Sequence, residues 1–493
     1  MPADFLLGLD AGQTVTKACV FDRAGHALGI GAGRVGLSSP RPHWVERDME
    51  EVWRAAAGAI RAALADAGVA GDRIAAVGLV GHNDGLYLLT EDGKPVRPAV
   101  TAMDTRAHDV VAAWRETPRW DQALALTGQV PYTGSPSTLL AWFRRHEPEV
   151  LQRTRWILFC KDWLRYRLTH RIATDPTEAS CAFTDVRTQD YSDAVWELYD
   201  LPPLSDRLPA LRRPDELAGE VVPEAAEATG LAVGTPVVTG AHDVDGAALG
   251  SGAVAPGRLS LLAGTFSINQ VVGEDVRLDP GWQSRSFLRP GTWLNMSTSA
   301  SSASNLEWWR ELFDLPPDPA SYAVLDAEVA RTLDEPSRVL YHPFLYGAPY
   351  GEAAEAGLLG LRGWHGRADV VRALYEGVVF SHHVHVDRLR TRFAFTGPAR
   401  LAGGATRSTV WSQMFADGLD MTVEVPATEE TGALGAALLA GLGLGWYSSL
   451  DDAAASVEIA RVHEPDPRRA RMLAEAYERF VAAADALHPL WEG

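Results

Sequence analysis

Two aspartates, far apart in the chain, stand among neighbours that could do chemistry with them. Asp10 lies in Phe5-Leu-Leu-Gly-Leu-Asp10-Ala-Gly12-Gln13-Thr14-Val-Thr-Lys17, between the apolar runs 5–9 and 18–21. The pattern predicts a β-hairpin whose tip carries a carboxylate, a glycine and amide or hydroxyl groups. Such a tip suits a metal-bound polyphosphate: glycine lets backbone N–H groups approach oxygen anions, and an Asp can hold Mg²⁺ directly or through its waters. An ordinary hairpin with a polar turn reads the same way. The case for chemistry comes from residues 258–273, half a chain later, where an apolar run, a Gly264-Thr265 tip and a second apolar run recur. Two phosphate-type turns so placed predict two related halves closing on one nucleotide.

The second aspartate belongs to residues 235–250, where an apolar strand delivers Asp243 and Asp245 into a glycine-rich turn and small residues then start a tightly packed helix. The helix dipole and backbone N–H groups are expected to keep a carboxylate there ionised. Set against a substrate hydroxyl, it would be a competent general base. N-capping by either residue is the plainer alternative. His82-Asn83-Asp84-Gly85 closes a buried strand at 74–80, the end at which open α/β sheets bind ligands, although a turn without chemical importance looks alike. Gly403-Gly404-Ala405 interrupts an apolar pattern ahead of Gln413, and a Gly-Gly turn opening a helix can lie flat under an adenine base. There is no GxxxxGK[ST] motif and no GxGxxG following a strand, so neither a P-loop nor a Rossmann reading stands.

These groups need elements to carry them. A helix is predicted from Met49 to Ala67, stopped by Gly68, and Asp104 is expected to cap a helix beginning within 100–106. Helix packing and capping account for most of 156–180, and 297–305 and 341–350 read as loops. A long helix over 370–392 holds His382, His383 and His385; adjacent and i, i+2 positions point apart, which argues against a shared metal ion. The uncharged run 431–450 is long enough to cross a membrane, but its glycines predict a buried, close-packed helix followed by a turn.

With 493 residues, two domains are expected. Acidic residues number 64 against 45 basic, and the net charge of −19 argues against nucleic acid or an anionic membrane as partner. Three scattered cysteines without metal spacing fit a reducing cytoplasm, and Asp4 and Asp10 stand where a signal peptide would need basic residues.

Taken in order, 10–17, 43–48, 161–169, 174–180, 240–250, Gly264-Thr265, 375–381, Gly403-Gly404-Ala405 and Glu429-Glu430-Thr431-Gly432 resemble the FGGY carbohydrate kinases over nearly the whole chain. The resemblance implies an α/β fold of two RNase H-like domains, as in the actin/hexokinase superfamily, with nucleotide and sugar meeting in the interdomain cleft. Residues 1–250 would bind sugar and carry the base and the first phosphate turn; 251–493 would carry the second turn and the adenosine site. By resemblance Asp10 organises Mg²⁺, and Gly12, Gln13, Thr14, Gly264 and Thr265 line the phosphates of ATP. Gly403, Gly404, Ala405 and Gln413 fall at adenosine, and Trp44, His82, Asn83, Asp84 and Asp243 at the sugar. Asp243, not Asp245, matches the family's general base. The implied reaction is in-line transfer of the γ-phosphoryl of ATP to a sugar hydroxyl in a soluble, cytoplasmic enzyme.

The pattern is most similar to the L-xylulose/3-keto-L-gulonate kinase branch. At the sugar loop D-xylulose kinases usually carry Gln-Met-His-Gly, and the L-xylulose branch has a Lys where Asp84 stands. An ionised Asp84 only accepts hydrogen bonds and would repel a carboxylated keto-gulonate. A neutral ketopentose such as L-xylulose is therefore expected, with a polyol as alternative, since erythritol kinases resemble this chain in having Asp there. A catalytically silent sugar sensor of the same fold is the non-enzyme alternative, against which intact Asp10, Asp243 and Gly264-Thr265 weigh. The helix expected over 468–487 either covers the second domain or mediates a homodimer.

Overall fold

The structure, a computed structural model, describes residues 4–351 and 353–491. The chain forms two compact units. Unit 1 comprises Met1–Val254, Gly273–Leu294 and Glu430–Val457; unit 2 comprises Ala255–Val272, Asn295–Glu429 and Glu458–Gly493. Neither is continuous in sequence, because 273–294 and 430–457 return to unit 1.

Unit 1 is built on β1 (Phe5–Ala11), β2 (Val15–Phe21), β3 (Ala27–Arg34), β4 (Ile74–Gly81), β5 (Leu217–Glu220), β6 (Pro236–Val238) and the short β7 (Ala241–His242). Their order is β5-β6-β4-β1-β2-β3, with β7 also on β4. The expected first hairpin forms, with Asp10 opposite Lys17. β4 runs parallel to β1 and β7 parallel to β4, with Ala11 beside Gly81 and Gly81 beside His242. That register brings the ends of three neighbouring parallel strands level, so Gly12–Thr14, His82–Gly85 and Asp243 leave the sheet at the same edge.

The Met49–Ala67 helix has the bounds its sequence predicts. Asp48 caps it by accepting from the Glu51 amide at 2.9 Å, and Gly68 ends it in the left-handed region at φ 63°. The uncharged run contains the Thr431–Gly443 helix, buried against β1 and β4 in unit 1. Contact is close enough that a Cβ on Gly8 would lie 1.9 Å from the Ala433 carbonyl oxygen, and one on Gly78 1.7 Å from that of Ala436. Among the described residues no helix is long and apolar enough to cross a membrane.

Unit 2 contains β8 (Leu259–Ala263), β9 (Ser267–Gly273), β10 (Trp293–Ser299), β11 (Ala399–Ala402), β12 (Val423–Pro426) and β13 (Ile459–His463), in the order β10-β9-β8-β11-β12-β13. Both units thus share one plan: an antiparallel hairpin, a third strand outside it, and a parallel strand on the other side of the first. Two loops expected from sequence are partly regular. Residues 297–299 end β10 and Ser304–Leu312 is helical, so only 300–303 of the polar stretch is irregular; and Leu340–His342 is a short strand paired with Gly357–Leu359. His382 and His385 point to different buried hydroxyl and amide partners, Ser267, Asn269 and Ser302 for the first and Ser297 and Ser299 for the second, while His383 stacks on Tyr477.

Gly78→Ala is expected to lower stability by about 1–3 kcal/mol, because its Cβ meets backbone that must shift. Gly58→Ala, on the exposed side of the Met49–Ala67 helix with nothing within 4 Å, is expected to raise stability by about 0.4–1 kcal/mol. Thermal unfolding of the two variants reads both signs.

Candidate functional site

At the end of β1, Asp10 is half-buried against the start of the Thr431–Gly443 helix, where a Cβ on Gly432 would sit 2.2 Å from Asp10 Oδ2. Only glycine leaves room there for the carboxylate. Lys17 does not neutralise Asp10 by direct contact, since its ammonium pairs with Glu430 at 2.7 and 2.8 Å. Burial, then the charges of Asp243 and Glu430, push the Asp10 carboxyl up to about 8, with Lys17 opposing. Burial and like charge thus both disfavour the ionised form of Asp10 until a further cation is present. Among the described residues no group of three or more His, Cys, Asp or Glu could cage a metal by itself. A single carboxyl that an added cation would ionise fits a magnesium ion that arrives with phosphate oxygens and keeps waters. Gln13, in the same turn, has a buried side-chain oxygen without a hydrogen-bond partner among the described residues.

The loop after β4 is held on all sides. His82 is buried with Nδ1 2.9 Å from the Ala11 carbonyl, and since a carbonyl only accepts, Nδ1 carries the hydrogen. Burial and then the Arg47 charge lower its pKa to about 4, so the ring is neutral. Asn83 donates to the Glu178 carbonyl at 3.1 Å and accepts from the Asp84 amide. Asp84 and Gly85 are both left-handed, at φ 63° and 73°, and a Cβ on Gly85 would lie 2.2 Å from the Val100 carbonyl oxygen.

Asp84 is not a free carboxylate. The Arg285 guanidinium lies 3.1 Å from its Oδ2 and donates through Nε to Gln129 Oε1 at 3.0 Å; Arg285 is itself buried. The expected repulsion of a carboxylated sugar by Asp84 is corrected by this pair, which cancels the charge. Sequence alone could not show it, because Arg285 lies 201 residues away in a short polar strand.

Trp44 is half-buried, with the Arg106 guanidinium 3.9 Å from its ring centroid and Trp142 edge-on at 5.5 Å. Arg106 is locked between Glu46 and Asp104 at 2.7 Å each. Asp104 does not cap a helix as expected: the helix runs His108–Arg115 after Ala107, and the carboxylate instead binds Arg106 and the Val45 amide.

Asp243 is the first residue of the Asp243–Gly250 helix, and no side chain caps that helix. Burial outweighs the helix end: the carboxyl rises to about 6, against the Val244 amide, with Asp84 adding to the rise and Arg285 opposing it. The sequence expectation of a carboxylate simply kept ionised is corrected to one that titrates near neutrality. The turn is anchored by the His242 amide, which donates to Thr177 Oγ1 at 2.9 Å.

Thr177 belongs to a buried charge cluster that sequence reasoning took for packing and capping. Asp175 does cap the Pro176–Ala179 helix, accepting from the Thr177 amide at 2.8 Å. Lys161 lies 2.7 Å from Asp162 Oδ1 and 2.8 Å from Asp175 Oδ1, and Arg165 lies 3.0 Å from Asp162 Oδ1. All four are fully buried. The available signal was three charges, Lys161, Asp162 and Arg165, within five residues that also hold Trp163 and Leu164.

In unit 2, Gly264 and Thr265 form the turn between β8 and β9, and Thr265 is exposed. Gly403, at φ 94°, follows β11; a Cβ there would lie 3.0 Å from the Gly264 amide nitrogen, so the two glycine turns touch. Gly404 is exposed and Ala405 buried in the short helix Gly404–Arg407. Gln413 is engaged elsewhere: its amide donates to Asp417 Oδ1 and the Glu464 carbonyl at 2.8 Å each, and its oxygen meets His463 Nδ1 at 3.1 Å.

The description "FGGY family of carbohydrate kinases, N-terminal domain" matches residues 5–250, and the C-terminal domain of the same family matches 271–444. The chain belongs to the FGGY family of carbohydrate kinases. It is a phosphotransferase with an alcohol group as acceptor. This FGGY kinase is 32% identical to the L-xylulose/3-keto-L-gulonate kinase of Escherichia coli (strain K12), over 98% of each chain. It is 31% identical to the erythritol kinase of Brucella abortus (strain 2308), over 99% of this chain and 97% of that one. Among solved structures, the xylulose kinase from Rhodospirillum rubrum superposes with a TM-score of 0.88 at 28% identity, covering 99% of this chain and all of that one.

Arg285→Met is expected to destabilise the FGGY kinase by about 3–5 kcal/mol, because it leaves Asp84 mostly buried and unpaired. Adding Asp84→Asn should recover a large part of that loss. A double-mutant cycle in urea measures the coupling, and strict additivity of the two substitutions would contradict the pair.

Proposed function

We propose that this chain transfers the γ-phosphoryl of Mg-ATP to a hydroxyl of a neutral ketopentose such as L-xylulose, with Asp243 as general base. The observation that carries the reading is the level ending of β1, β4 and β7, which sets Asp10, the 82–85 loop and Asp243 along one edge of unit 1. Asp243 accepts the hydroxyl proton as the sugar oxygen bonds to phosphorus. His82, Asn83, Asp84 and Trp44 orient the acceptor, and the Asp84–Arg285 pair offers it polar contacts at no net charge. Gly12, Gln13 and Thr14 in residues 1–250, and Gly264 and Thr265 in 251–493, hold the phosphates through backbone N–H groups.

Magnesium, when bound, would be organised by Asp10 and would draw the developing charge off the phosphate oxygens. Gly403, Gly404 and Ala405 provide a flat backbone turn for adenosine next to Gly264. Gln413 enters only by family resemblance, since its amide is already taken. The partners are a small sugar and ATP, in the cytoplasm, with neither nucleic acid nor membrane involved; whether the Pro467–Trp491 helix supports a homodimer is a matter for sedimentation.

A polyol acceptor is the second reading. It is favoured by Asp84 itself and by the Brucella abortus relative. A sensor without catalysis is opposed by the intact Asp10, Asp243 and glycine turns.

A coupled ADP-release assay with Mg-ATP and D- and L-xylulose, D- and L-ribulose, erythritol, other C4–C6 polyols, glycerol and 3-keto-L-gulonate tests the reading. L-xylulose is expected to lead; erythritol in front would select the polyol reading, and no acceptor above the ATP-only rate would sink the kinase assignment for this panel. Asp243→Asn is expected to lose about 10²–10⁴-fold in kcat while ATP binding is kept. Because burial raises the Asp243 carboxyl to about 6 and only its ionised form accepts a proton, log kcat/KM, measured at saturating Mg²⁺ so that the cation keeps Asp10 ionised, should be level above that pH and fall with unit slope below it. An acid limb near pH 4 would show that burial does not govern this group.

A further inference from the structure

The side chains of the 82–85 loop differ in the hydrogen bonds they have left to offer. His82 spends Nδ1 on the Ala11 carbonyl at 2.9 Å and meets the Tyr87 hydroxyl with Nε2 at 3.4 Å. Asn83 gives its amide hydrogens to the carbonyls of Thr177 and Glu178, at 3.4 and 3.1 Å, and its oxygen to the Asp84 amide. Both are buried, so they orient an acceptor through the shape of the loop and not by touching it. Gly85 has no side chain. Asp84 remains, with its side chain 11% exposed.

A line of hydrogen bonds stands behind Asp84, and each link has a fixed direction. The carbonyls of Ser180 and Cys181 only accept, so the group facing them at 2.8 and 2.5 Å is the Gln129 amide nitrogen. Gln129 Oε1 is thereby turned to Arg285 and accepts from its Nε at 3.0 Å. A guanidinium only donates, and Nη2 reaches both Asp84 oxygens, at 3.3 and 3.1 Å. The Tyr132 hydroxyl stands beside the same carboxylate. Gln129 and Arg285 are buried, the latter with 2% of its side chain exposed. What this line turns outward is the carboxylate, an acceptor with no hydrogen of its own.

We propose that Gln129 and Arg285 are positioning residues for acceptor specificity. They hold Asp84 as a fixed acceptor that selects a substrate presenting a hydroxyl, not a carbonyl, an ether oxygen or hydrogen, at the carbon it faces. The inference deepens the kinase reading and rests on the 82–85 loop meeting the acceptor. A hydroxyl can donate to the carboxylate, whereas a carbonyl or ether would set two acceptors against each other. Gln129 keeps the guanidinium from turning, so the carboxylate is aimed before the sugar arrives. A site built to pair a substrate hydroxyl rejects the analogue lacking it far more strongly than an apolar pocket rejects a lost methylene. Ketopentoses and polyols both meet this demand; a deoxygenated or oxidised carbon at that place does not.

The test measures kcat/KM of the full chain with Mg-ATP and the best acceptor of the panel. Its monodeoxy and deoxyfluoro analogues are compared with it, one carbon at a time, leaving the phosphorylated hydroxyl intact. Fluorine accepts weakly and cannot donate. At one carbon, wild type should lose about 10²–10³-fold with hydrogen and at least as much with fluorine. Asp84→Asn keeps an oxygen for Arg285 and turns an N–H outward. Fluorine should then outdo hydrogen at that carbon, and the penalty for losing the hydroxyl should fall below about tenfold.

Gln129→Leu should lower the parent-to-deoxy ratio by about tenfold, whereas a merely structural loss would depress both substrates and leave their ratio alone. Arg285→Lys keeps a cation for Asp84 but cannot hold Gln129 at the same time, so it should lower the ratio likewise and serves if Gln129→Leu does not fold. An unchanged ratio in the folded variant, or the wild-type pattern in Asp84→Asn, overturns the assignment to these residues. The wild-type comparison needs no variant. Fluorine ahead of hydrogen at every carbon, or every analogue within about threefold of the parent, overturns this inference while the kinase reading stands. Turnover of no acceptor by wild type overturns the kinase reading first, and this inference with it.

Discussion

Lys161 is fully buried with its ammonium within 3 Å of Asp162 and Asp175, and the edge of unit 1 that carries Asn83, Asp243 and Arg285 is assembled on that contact. Burial alone would favour the uncharged amine; the surrounding carboxylates reverse this and hold the pKa above its ordinary value. Asp175 is thereby fixed for its second task, capping the short helix at Pro176. That helix and the residue after it reach three neighbours. Thr177 holds the His242 amide, the Glu178 carbonyl holds Asn83, and Ser180 accepts from the Ser286 amide beside Arg285. One ion cluster thus sets the Asp243 turn, the 82–85 loop and the Arg285 guanidinium in a common frame. Removing a single member would strand opposite charge among fully buried side chains, a change that is strongly destabilising.

Local signals in the sequence located most of what matters. Hairpin tips, helix stops and glycine turns depend on neighbours within a few residues, so the turns at Asp10, Gly264 and Gly403 and the helix stop at Gly68 could be placed from type and spacing. Asp104 failed for a physical reason. An acidic residue ahead of a helix looks the same whether it caps that helix or binds an arginine two residues on, and only the packed structure chooses. Arg285 was invisible because nothing local marks a buried arginine in a short strand.

The electrostatic expectations failed in a related way. At Asp243 the helix end and its amide act in the expected direction, but the depth of burial, which no local pattern carries, is larger. At Asp84 a repulsive charge was inferred where the fold supplies an opposite one. The signs of single groups were legible; their sums were not. The 82–85 loop therefore presents Asp84 and Arg285 together, as a pair without net charge.

The Thr431–Gly443 helix packs against β1 and β4 with carbonyl oxygens where glycine Cβ atoms would otherwise be, and it lies at the far end of the chain from both strands. A ribosome makes β1, β4 and the base turn long before it makes this helix. Unit 1 consequently cannot close its core while its own first half is emerging; the apolar faces of β1 and β4 wait until the last tenth or so of the protein is translated. Unit 2 must meanwhile take shape as an insertion between pieces of a neighbour not yet finished. For this kinase the direction of synthesis and the order of assembly run against each other, and nascent chains halted before residue 431 should depend most on chaperones.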